Sequence, residues 1–476
     1  MVGLRWSIRG IGLLSTIILA RLLVPEDFGL VALATLFASL LDVLTSFGVD
    51  MALIQRQDSS RAHYDTAWTI KIIQTAFVAL LMILASPFAA ELFREPRVTG
   101  LMLFVSMSIL ISGLENIGIV AFRKELEFHK EFGYRVTIKL TRFCVTVVLA
   151  YLLRSYWALV WGSLVTRIVG VVLSYFVQSY RPRITLSRVG DLWSFSQWML
   201  VRNIGMYLRR RFDGFAVGRY FSSGSMGIYS LAKEIAELPT TELIWPMGRV
   251  LFPSYVRLVH DPKRLGRAYL KSLSVIAMMA VPAGAGVALV AEPLVFVLLG
   301  ERYAQVGPVL VWLALYNVLL TLAASVQSPL MALGRMRRVA GLVWLQSILA
   351  IPVIVVAALQ RDLVIIAQAQ LAVAVVLVPL FFFFLISAAL FGWLDLVKSL
   401  WRPALATSVM ALALSGVPDV GGAVGALAIK IPLGIAMFSF VEFACWQLSG
   451  RPDGAERLFL DIVARKVLWK NSNAET

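Results

Sequence analysis

Residues 193–221 form an apolar stretch that is long enough to cross a lipid bilayer and yet contains several charges. The charged residues are Arg202, Arg209, Arg210, Arg211, Asp213 and Arg219. Moving one arginine to the centre of a bilayer costs about 2.5–3.5 kcal/mol on insertion scales. We therefore expect this helix to face other helices, a water-filled cavity or a charged ligand rather than lipid.

Three of these residues, Arg202, Arg209 and Asp213, lie at i, i+7 and i+11, which a helix brings onto one stripe. We interpret the stripe as the lining of an internal cavity that receives an anion, because charge inside a membrane is usually functional. In the alternative, the charges hold helices together, with Asp213 paired to Arg209 or to Arg210. The two interpretations are compatible, and the sequence leaves both open.

The composition indicates a polytopic membrane protein. Of the 476 residues, 59% are hydrophobic, whereas soluble proteins are nearer about 45–50% apolar. The mean hydropathy is +0.81. The formal net charge of +16 would suggest nucleic acid in a soluble protein. Here basic cytoplasmic loops explain the charge, so no nucleic-acid partner is predicted.

Fourteen apolar segments predict an all-α membrane protein with about fourteen transmembrane helices. The segments cover residues 4–23, 28–50, 64–90, 98–122, 134–153, 156–179, 193–221, 226–256, 270–299, 306–333, 338–358, 362–390, 403–418 and 423–448. The connections between them are short, which excludes an appended soluble domain and leaves little chain for a catalytic loop.

Lysine and arginine are concentrated in alternate loops, and such loops face the cytoplasm. The basic set includes Arg56, Arg123, Arg181, Arg264, Arg337, Lys398 and Arg402. The opposite set holds Arg94, Arg97, Arg154, Arg302 and Arg361. This asymmetry predicts that both termini are cytoplasmic, with residues 449–476 as a cytoplasmic tail.

An internal repeat relates ARLLVPEDFGLVALA, residues 20–34, to GRYFSSGSMGIYSLA, residues 218–232. The offset of 198 aligns Arg21 with Arg219 and Gly29 with Gly227. It also aligns the first two segments with the seventh and eighth. We therefore expect two six-helix lobes, residues 1–180 and 181–391, followed by two added helices in residues 392–448. Transporters built from such parallel repeats bind their cargo between the halves.

Further charges lie inside the predicted segments, and cations prevail among the deeper ones. Guanidinium groups suit phosphate, so a cationic cavity would attract a phosphate-bearing cargo. The candidate binding residues are Arg202, Arg209, Arg210, Arg211, Arg142, Arg167 and Lys233. An ion-coupled transporter would also need a carboxylate that titrates near the cargo, and the candidates are Asp213, Glu234, Glu237 and Asp42. Lys71 and Arg135, nearer the helix ends, could snorkel to the surface. Tyr207, on the charged helix, could face a sugar.

Motifs for chemistry or metal binding are missing from the sequence. Its two cysteines fall in separate apolar runs and its three histidines in separate loops, so neither a disulfide nor a metal site is predicted. The chain has no phosphate-binding loop of the G-x-x-x-x-G-K-[ST] type, no G-x-S-x-G and no H-E-x-x-H. We therefore predict no cofactor, and an ion gradient, a cargo gradient or a partner as the energy source.

The segment ARLLVPEDFGLVAL, residues 20–33, resembles the polysaccharide-transporter family of Wzx-type O-antigen and exopolysaccharide flippases. Its superfamily also holds the lipid II flippase and the multidrug and toxic compound extrusion transporters. Further resemblance lies in AFRKELEF (residues 121–128), in FDGFAVG (residues 212–218) and in VLFP (residues 250–253). Family members usually begin with a basic amphipathic stretch that is missing here, so Met1 is a candidate late start.

The resemblance implies a fourteen-helix flippase of the bacterial inner membrane. Its implied cargo is an undecaprenyl-pyrophosphate-linked oligosaccharide, flipped by alternating access for O-antigen, capsule or exopolysaccharide synthesis. Implied partners are membrane lipids, a polysaccharide polymerase and chain-length proteins, with H⁺ or Na⁺ as the coupling ion. The alternative on this scaffold is an ion-coupled multidrug or metabolite exporter, which the excess of arginine disfavours. A membrane polymerase or ligase is disfavoured by the short outer loops.

Overall fold

The structure is a computed structural model in which every regular element of the described residues is a helix. It describes residues 2–45, 53, 60–125, 127–189, 196–388, 390–418, 421–451, 454 and 456–457. Within these helices, the side chains of residues 2–9, 42, 44–45, 123, 128, 196–203 and 241–250 lie outside the description.

The first half of the described chain contains eight α-helices up to the charged stretch. They are α1 (Val2–Leu22), α2 (Pro25–Thr45), α3 (Arg61–Phe93), α4 (Arg97–Gly113), α5 (Val120–Lys124), α6 (Phe128–Leu153), α7 (Trp157–Val177) and α8 (Ser196–Tyr220).

The second half continues with nine helices. They are α9 (Ser223–Arg257), α10 (Pro262–Leu289), α11 (Ala291–Leu298), α12 (Val306–Ser325), α13 (Gln327–Ala332), α14 (Met336–Leu359), α15 (Leu363–Ile386), α16 (Trp393–Ser415) and α17 (Gly422–Leu448). Short 3₁₀ turns occur at Ile117–Ile119 and Glu301–Tyr303.

The all-α membrane fold predicted from composition is confirmed. Eight helices of the described chain are long and apolar enough to cross a membrane. The charged helix α8 is not one of them, because its arginines lower its hydropathy. The number of fourteen transmembrane crossings stays a prediction.

The prediction for the thirteenth segment was wrong at its start. It was expected at residues 403–418, but α16 begins at Trp393, ten residues earlier. Arg402 had been assigned to a basic loop. It instead lies within α16 and is 5% exposed. A charged side chain in a helix lowers local hydropathy without breaking the helix, so the apolar window missed its first turns.

The chain divides into two compact units, which differ from the lobes drawn at residue 180. The first contains Met1–Ser230 and Ile354–Leu363, and the second contains Leu231–Val353 and Val364–Thr476. The division into two six-helix lobes and two added helices stays a prediction.

In the first unit, small residues let neighbouring helices approach closely, as is usual in membranes. A Cβ on Gly113 would lie 2.0 Å from Oγ1 of Thr75, which places α4 directly against α3. A Cβ on Gly162 would lie 2.1 Å from Oγ1 of Thr146, which places α7 against α6 in the same way.

The repeated glycines pack reciprocally within this unit. A Cβ on Gly29 would lie 1.6 Å from the carbonyl oxygen of Ser223, and one on Gly227 would lie 1.8 Å from that of Pro25. The repeat offset of 198 relates Gly29 to Gly227 and also Pro25 to Ser223. The first turns of α2 and α9 therefore cross through a contact with two-fold symmetry, as a structural repeat of these segments would produce.

The start of α2 is fixed by the same motif that carries the family resemblance. Pro25 occupies the first helical position, where its missing N–H costs nothing. Asp27 is buried and accepts the Tyr156 N–H at 2.8 Å and the Val24 N–H at 3.1 Å. One carboxylate thus caps the turn before α2 and ties it to the start of α7.

A second polar cluster, which we call the crossing junction, lies beside this crossing and consists of Glu26, Glu95, Arg97 and Ser223. Arg97 forms ion pairs with Glu26 and with Glu95, the latter at 2.8 Å. Glu95 also accepts the Ser223 hydroxyl at 3.2 Å. The Arg97 guanidinium holds the pKa of Glu95 below its ordinary value.

The segment after α7, residues 178–189, is held against the start of α3. Asp65 accepts the Tyr180 hydroxyl at 2.5 Å and the Arg183 N–H at 2.8 Å. The Thr185 N–H donates to Oγ1 of Thr69 at 3.0 Å. Burial, together with the bond to Asp65, raises the pKa of Tyr180. The linker that leads towards α8 is therefore anchored to the first unit.

In the second unit, the core is aliphatic and aromatic. It is built around Tyr255, Tyr269, Leu273, Phe381 and Phe382. Tyr269 stacks on Phe391 with ring centroids 5.5 Å apart, and its hydroxyl lies 2.9 Å from that of Ser325.

Candidate functional site in the charged helix

The charged stretch forms one continuous helix, α8, as the sequence predicted. Its middle residues, including arginine, leucine and methionine, favour helix, so the charges do not interrupt it. Arg210 lies 14 residues after Ser196 and 10 before Tyr220. At about 1.5 Å per residue, it is about 21 Å from one end and about 15 Å from the other. If α8 crosses the bilayer, its arginines lie near the membrane centre.

The consecutive arginines differ in their exposure. Arg210 and Arg211 are exposed, whereas Arg209 is half-buried and places Nη2 3.7 Å from the Met206 sulfur. Consecutive helical residues lie about 100° apart, so the three cannot share one stripe. Arg202 is part of the helix, but its side chain lies outside the described residues.

The acidic candidate on α8 is buried. Asp213 is 4% exposed, and its Oδ2 accepts the hydroxyl of Tyr229 at 2.7 Å. Tyr229 comes from the first turns of α9 and is itself buried. The contact with Tyr229, 16 residues away, was not predicted. Asp213 is therefore fixed by α9, whether or not it also serves as an ion-coupling group.

Tyr207 lies on the buried side of α8, so the idea that it faces a sugar was wrong. It is 6% exposed and donates its hydroxyl to the Leu36 carbonyl of α2 at 2.6 Å. The aromatic rings of Phe37, Phe93 and Phe215 surround this contact, with centroid separations of 5.6–6.2 Å. These rings come from α2, α3 and α8, and they hold the buried side of α8 in place.

Buried and exposed residues are therefore interleaved around the described part of α8. Tyr207, Asp213 and Gly218 pack against α2, α3 and α9. Arg210 and Arg211, about 100° apart around the helix, are exposed. Their guanidinium groups can bind phosphate oxygens in a bidentate way.

The two arginine candidates outside α8 lie on neighbouring helices. Arg142 of α6 and Arg167 of α7 are both exposed in the described structure. Lys139, one turn before Arg142, packs near α1, because a Cβ on Gly12 would lie 3.4 Å from its Nζ.

Arg167 lies near a polar network that the sequence did not indicate. Lys71 Nζ is 2.9 Å from Oε2 of Glu115, and the Tyr134 hydroxyl contacts Oε1 of the same carboxylate. That hydroxyl also lies 3.1 Å from the Gly170 carbonyl oxygen. The network joins α3, α6 and α7 with the residues after α4.

The two cations expected to snorkel to the surface are instead paired. Lys71 binds Glu115, 44 residues away in sequence. Arg135 places Nε 2.7 Å from Oε1 of Glu131, one helical turn away. The second pair could have been found from its i, i+4 spacing, whereas the first could not, because only tertiary packing joins its members.

The remaining candidates lie on α9 and α2. Lys233, Glu234 and Glu237 are half-buried on α9 and belong to the second unit. Asp42 is part of α2, but its side chain lies outside the described residues. Among the described residues, no group of three or more His, Cys, Asp or Glu side chains could hold a metal ion.

Comparison with curated proteins places the chain among polysaccharide biosynthesis proteins. It is 27% identical over 426 residues to the lipopolysaccharide biosynthesis protein WzxC of Escherichia coli (strain K12), covering 87% of each chain. It is 28% identical over 315 residues to the succinoglycan biosynthesis transport protein ExoT of Rhizobium meliloti (strain 1021). That match covers 66% of this chain and 64% of the relative.

Solved structures share the fold. The lipid II flippase MurJ, in an inward closed conformation, superposes with a TM-score of 0.74 at 15% identity, over 93% of this chain and 98% of that chain. A multidrug resistance transporter of the MATE family, in an inward-facing conformation, gives a TM-score of 0.62 at 12% identity. It covers 79% of this chain and 94% of that chain. Identities this low show a common fold only.

The family described as Polysaccharide biosynthesis protein matches residues 18–308. This match covers more than half of the chain and includes both repeated segments and all of α8. It confirms the resemblance seen in the sequence. The chain belongs to this family of polysaccharide biosynthesis proteins.

Proposed function

We propose that this protein is a flippase of the bacterial inner membrane that moves a polyprenyl-pyrophosphate-linked oligosaccharide between leaflets by alternating access. The family, the named relatives and the fold shared with a lipid II flippase support this function. The transported unit would serve O-antigen, capsule or exopolysaccharide synthesis. The protein carries its cargo and forms no bond in it.

The observation that carries the proposal is the pair of exposed arginines on α8. Arg210 and Arg211 lie near the middle of a helix that is packed at Tyr207 and Asp213. Charged groups at such a depth are stable only beside water, partner groups or a charged ligand. A pyrophosphate carries enough oxygens to accept bidentate hydrogen bonds from more than one guanidinium group.

Several features of the proposed cycle come from the sequence alone. Both termini face the cytoplasm, and two six-helix lobes surround the cargo. Arg142, Arg167, Arg202, Arg209 and Lys233 complete the cationic surface. Coupling to H⁺ or Na⁺ through Asp213, Glu234, Glu237 or Asp42, and cooperation with a polymerase and chain-length proteins, are further parts of the proposal.

The test is a transport assay in proteoliposomes loaded with a polyprenyl-pyrophosphate oligosaccharide. Arg210→Ala and Arg211→Ala should each lower the flipping rate about tenfold or more, since a hydrogen bond to a charged group contributes about 1.5–3 kcal/mol. Arg302→Ala is the matched control, because Arg302 is an exposed arginine in the short 3₁₀ turn Glu301–Tyr303, away from α8 in sequence. Full activity of both α8 variants would refute these arginines as the cargo site.

A multidrug or metabolite exporter is the second candidate, because the fold is shared with a MATE transporter. Such a protein would bind organic cations in an apolar or acidic cavity. The exposed arginines of α8 would repel these cations. Binding of a cationic dye in preference to a polyprenyl pyrophosphate would favour the exporter.

A further inference from the structure

Three charged side chains meet in a buried cluster formed by α16, α17 and the following chain, and we call it the tail cluster. It consists of Arg402 of α16, Glu442 of α17 and Glu456, which follows α17. Arg402 is 5%, Glu442 4% and Glu456 6% exposed. None of the three was predicted as a functional residue.

The contacts within the tail cluster are unequal. Arg402 forms an ion pair with Glu456. Glu442 interacts electrostatically with Glu456 and with Arg402, yet neither of its oxygens meets a donor among the described residues. Two ionised carboxylates cannot donate to each other, so a hydrogen bond between them requires a proton on one of them.

The charges of the tail cluster do not cancel. One guanidinium and two carboxylates sum to a net charge of −1 when all three are ionised. An uncompensated buried charge costs several kcal/mol, so such a group binds a positive charge or becomes neutral. One added proton makes the cluster neutral and supplies the missing donor.

The packing around the cluster favours a proton over a metal ion. A Cβ on Gly454 would lie 2.7 Å from Oε2 of Glu456 and 3.4 Å from Nη2 of Arg402, so the backbone closes that side. The cluster offers only two acidic side chains, and the described residues contain no group that could hold a metal. A shared proton needs no space beyond that of the two carboxyl groups.

We propose that Arg402, Glu442 and Glu456 form a site that binds one proton, shared between the two carboxyl groups. The proton ties the chain after α17 to α16 and α17. The charged groups that act on Glu442 are Glu456 and Arg402, and Cys445 lies one turn along the same helix. Glu292, the carboxylate of α11, which packs on α17, is exposed.

The site is tested by infrared spectroscopy of the full-length protein in lipid nanodiscs near neutral pH. The wild type should show the carbonyl absorption of a protonated, buried carboxyl group. Glu442→Gln should abolish that absorption. Glu456→Gln should abolish it too, because Arg402 can then neutralise Glu442. Glu292→Gln, at an exposed position, is the control and should retain it.

Absence of the absorption from the wild type, or its survival in either Glu442→Gln or Glu456→Gln, would overturn the proposal. Loss of the wild-type absorption when sodium replaces potassium in the buffer would also overturn it, since a metal ion would then occupy the site.

The thermal unfolding midpoint is an independent measure of the same site. In the wild type it should fall as rising pH removes the proton, whereas in Glu442→Gln, which cannot ionise at that position, this fall should be absent.

Discussion

The start of α2 and the middle of α8 are both polar regions of one unit, but their charges are arranged differently. At the start of α2, Asp27 caps backbone N–H groups and Glu26 pairs with Arg97. In the middle of α8, Arg210 and Arg211 are exposed while their neighbour Asp213 is buried. The carboxylates at the start of α2 hold neighbouring helices together, whereas the guanidinium groups of Arg210 and Arg211 are accessible at the surface of the described structure.

This contrast separates what identifies the family from what identifies the cargo. The motif of residues 20–33, which carries the family resemblance, consists of helix-start and helix-crossing residues. The arginines of α8 carry the proposed chemistry. Substitutions at the start of α2 should therefore change the free energy of unfolding. Substitutions of Arg210 and Arg211 on α8 should change the rate of transport.

The largest loss of stability is expected for Gly29→Ala. The new methyl group would overlap the Ser223 carbonyl oxygen, and backbone atoms cannot move aside as a flexible side chain can. We expect a loss beyond the about 1–3 kcal/mol typical of overpacking. Thermal unfolding in detergent would measure it. Gly133→Ala in α6, where nothing lies within 4 Å of a Cβ, should unfold like the wild type.

The next largest loss is expected for Asp27→Ala. It leaves the N–H groups of Val24 and Tyr156 without their carboxylate partner. Each buried unsatisfied group costs about 1–3 kcal/mol. Asp27→Asn keeps one acceptor and should lose less. If the rate of flipping per folded molecule also fell in Asp27→Asn, the assignment of this carboxylate to the scaffold would fail.

A smaller loss is expected for Tyr229→Phe, which removes the donor to Asp213. A hydrogen bond to a charged group contributes about 1.5–3 kcal/mol, and the other contacts of Asp213 should offset part of this. Thermal unfolding measures the change. The same substitution at Tyr220, which is exposed at the end of α8, should have little effect and serves as control.

A still smaller effect is expected at the crossing junction. Arg97→Gln should cost about 1 kcal/mol or less, because Arg97 is substantially exposed. Arg97 lowers the pKa of Glu95 in the folded state, so the stability from this pair is present above the ordinary carboxylate pKa. It is lost as pH falls through the lowered value. Unfolding midpoints from neutral to acidic pH should therefore converge for wild type and Arg97→Gln.

The double variant Arg210→Ala, Arg211→Ala should have the smallest effect on stability. It should also have the largest effect on transport. Surface substitutions usually change stability by within about 0.5 kcal/mol. Flipping should be abolished while the unfolding midpoint is retained. Arg210→Lys, Arg211→Lys keeps the charge but loses the bidentate geometry and should be intermediate. A variant that unfolds as easily as Asp27→Ala would show that these arginines belong to the scaffold.

Much of the fold could be predicted because hydrophobicity and loop charge are local properties. The apolar runs gave the helices, and α8 was expected despite its six charges. The start of α16 was missed because Arg402 and Lys398 resemble a basic loop when burial is not known. The sequence did not indicate the tail cluster either, because Arg402 and Glu456 are 54 residues apart and only tertiary packing joins them.

At the candidate site, the residue types were predictable but their surroundings were not. The spacing of Arg209 and Asp213 indicated that they share one stripe of the helix. Which residues of α8 are packed depended on partners from α2, α3 and α9. Leu36, Phe93 and Tyr229 are those partners, and they bury Tyr207 and Asp213 while leaving Arg210 and Arg211 exposed.

The sequence by itself determined that this protein is a helical membrane protein and that one helix carries five arginines and an aspartate. These properties follow from composition and spacing along a single helix. Only the tertiary structure decided that Gly29 and Gly227 pack on each other's helices, that Asp213 is bound by Tyr229 and that Arg402 pairs with Glu456. Such pairings depend on which helices become neighbours, and the energy of a buried charge is set by those neighbours rather than by the chain around it.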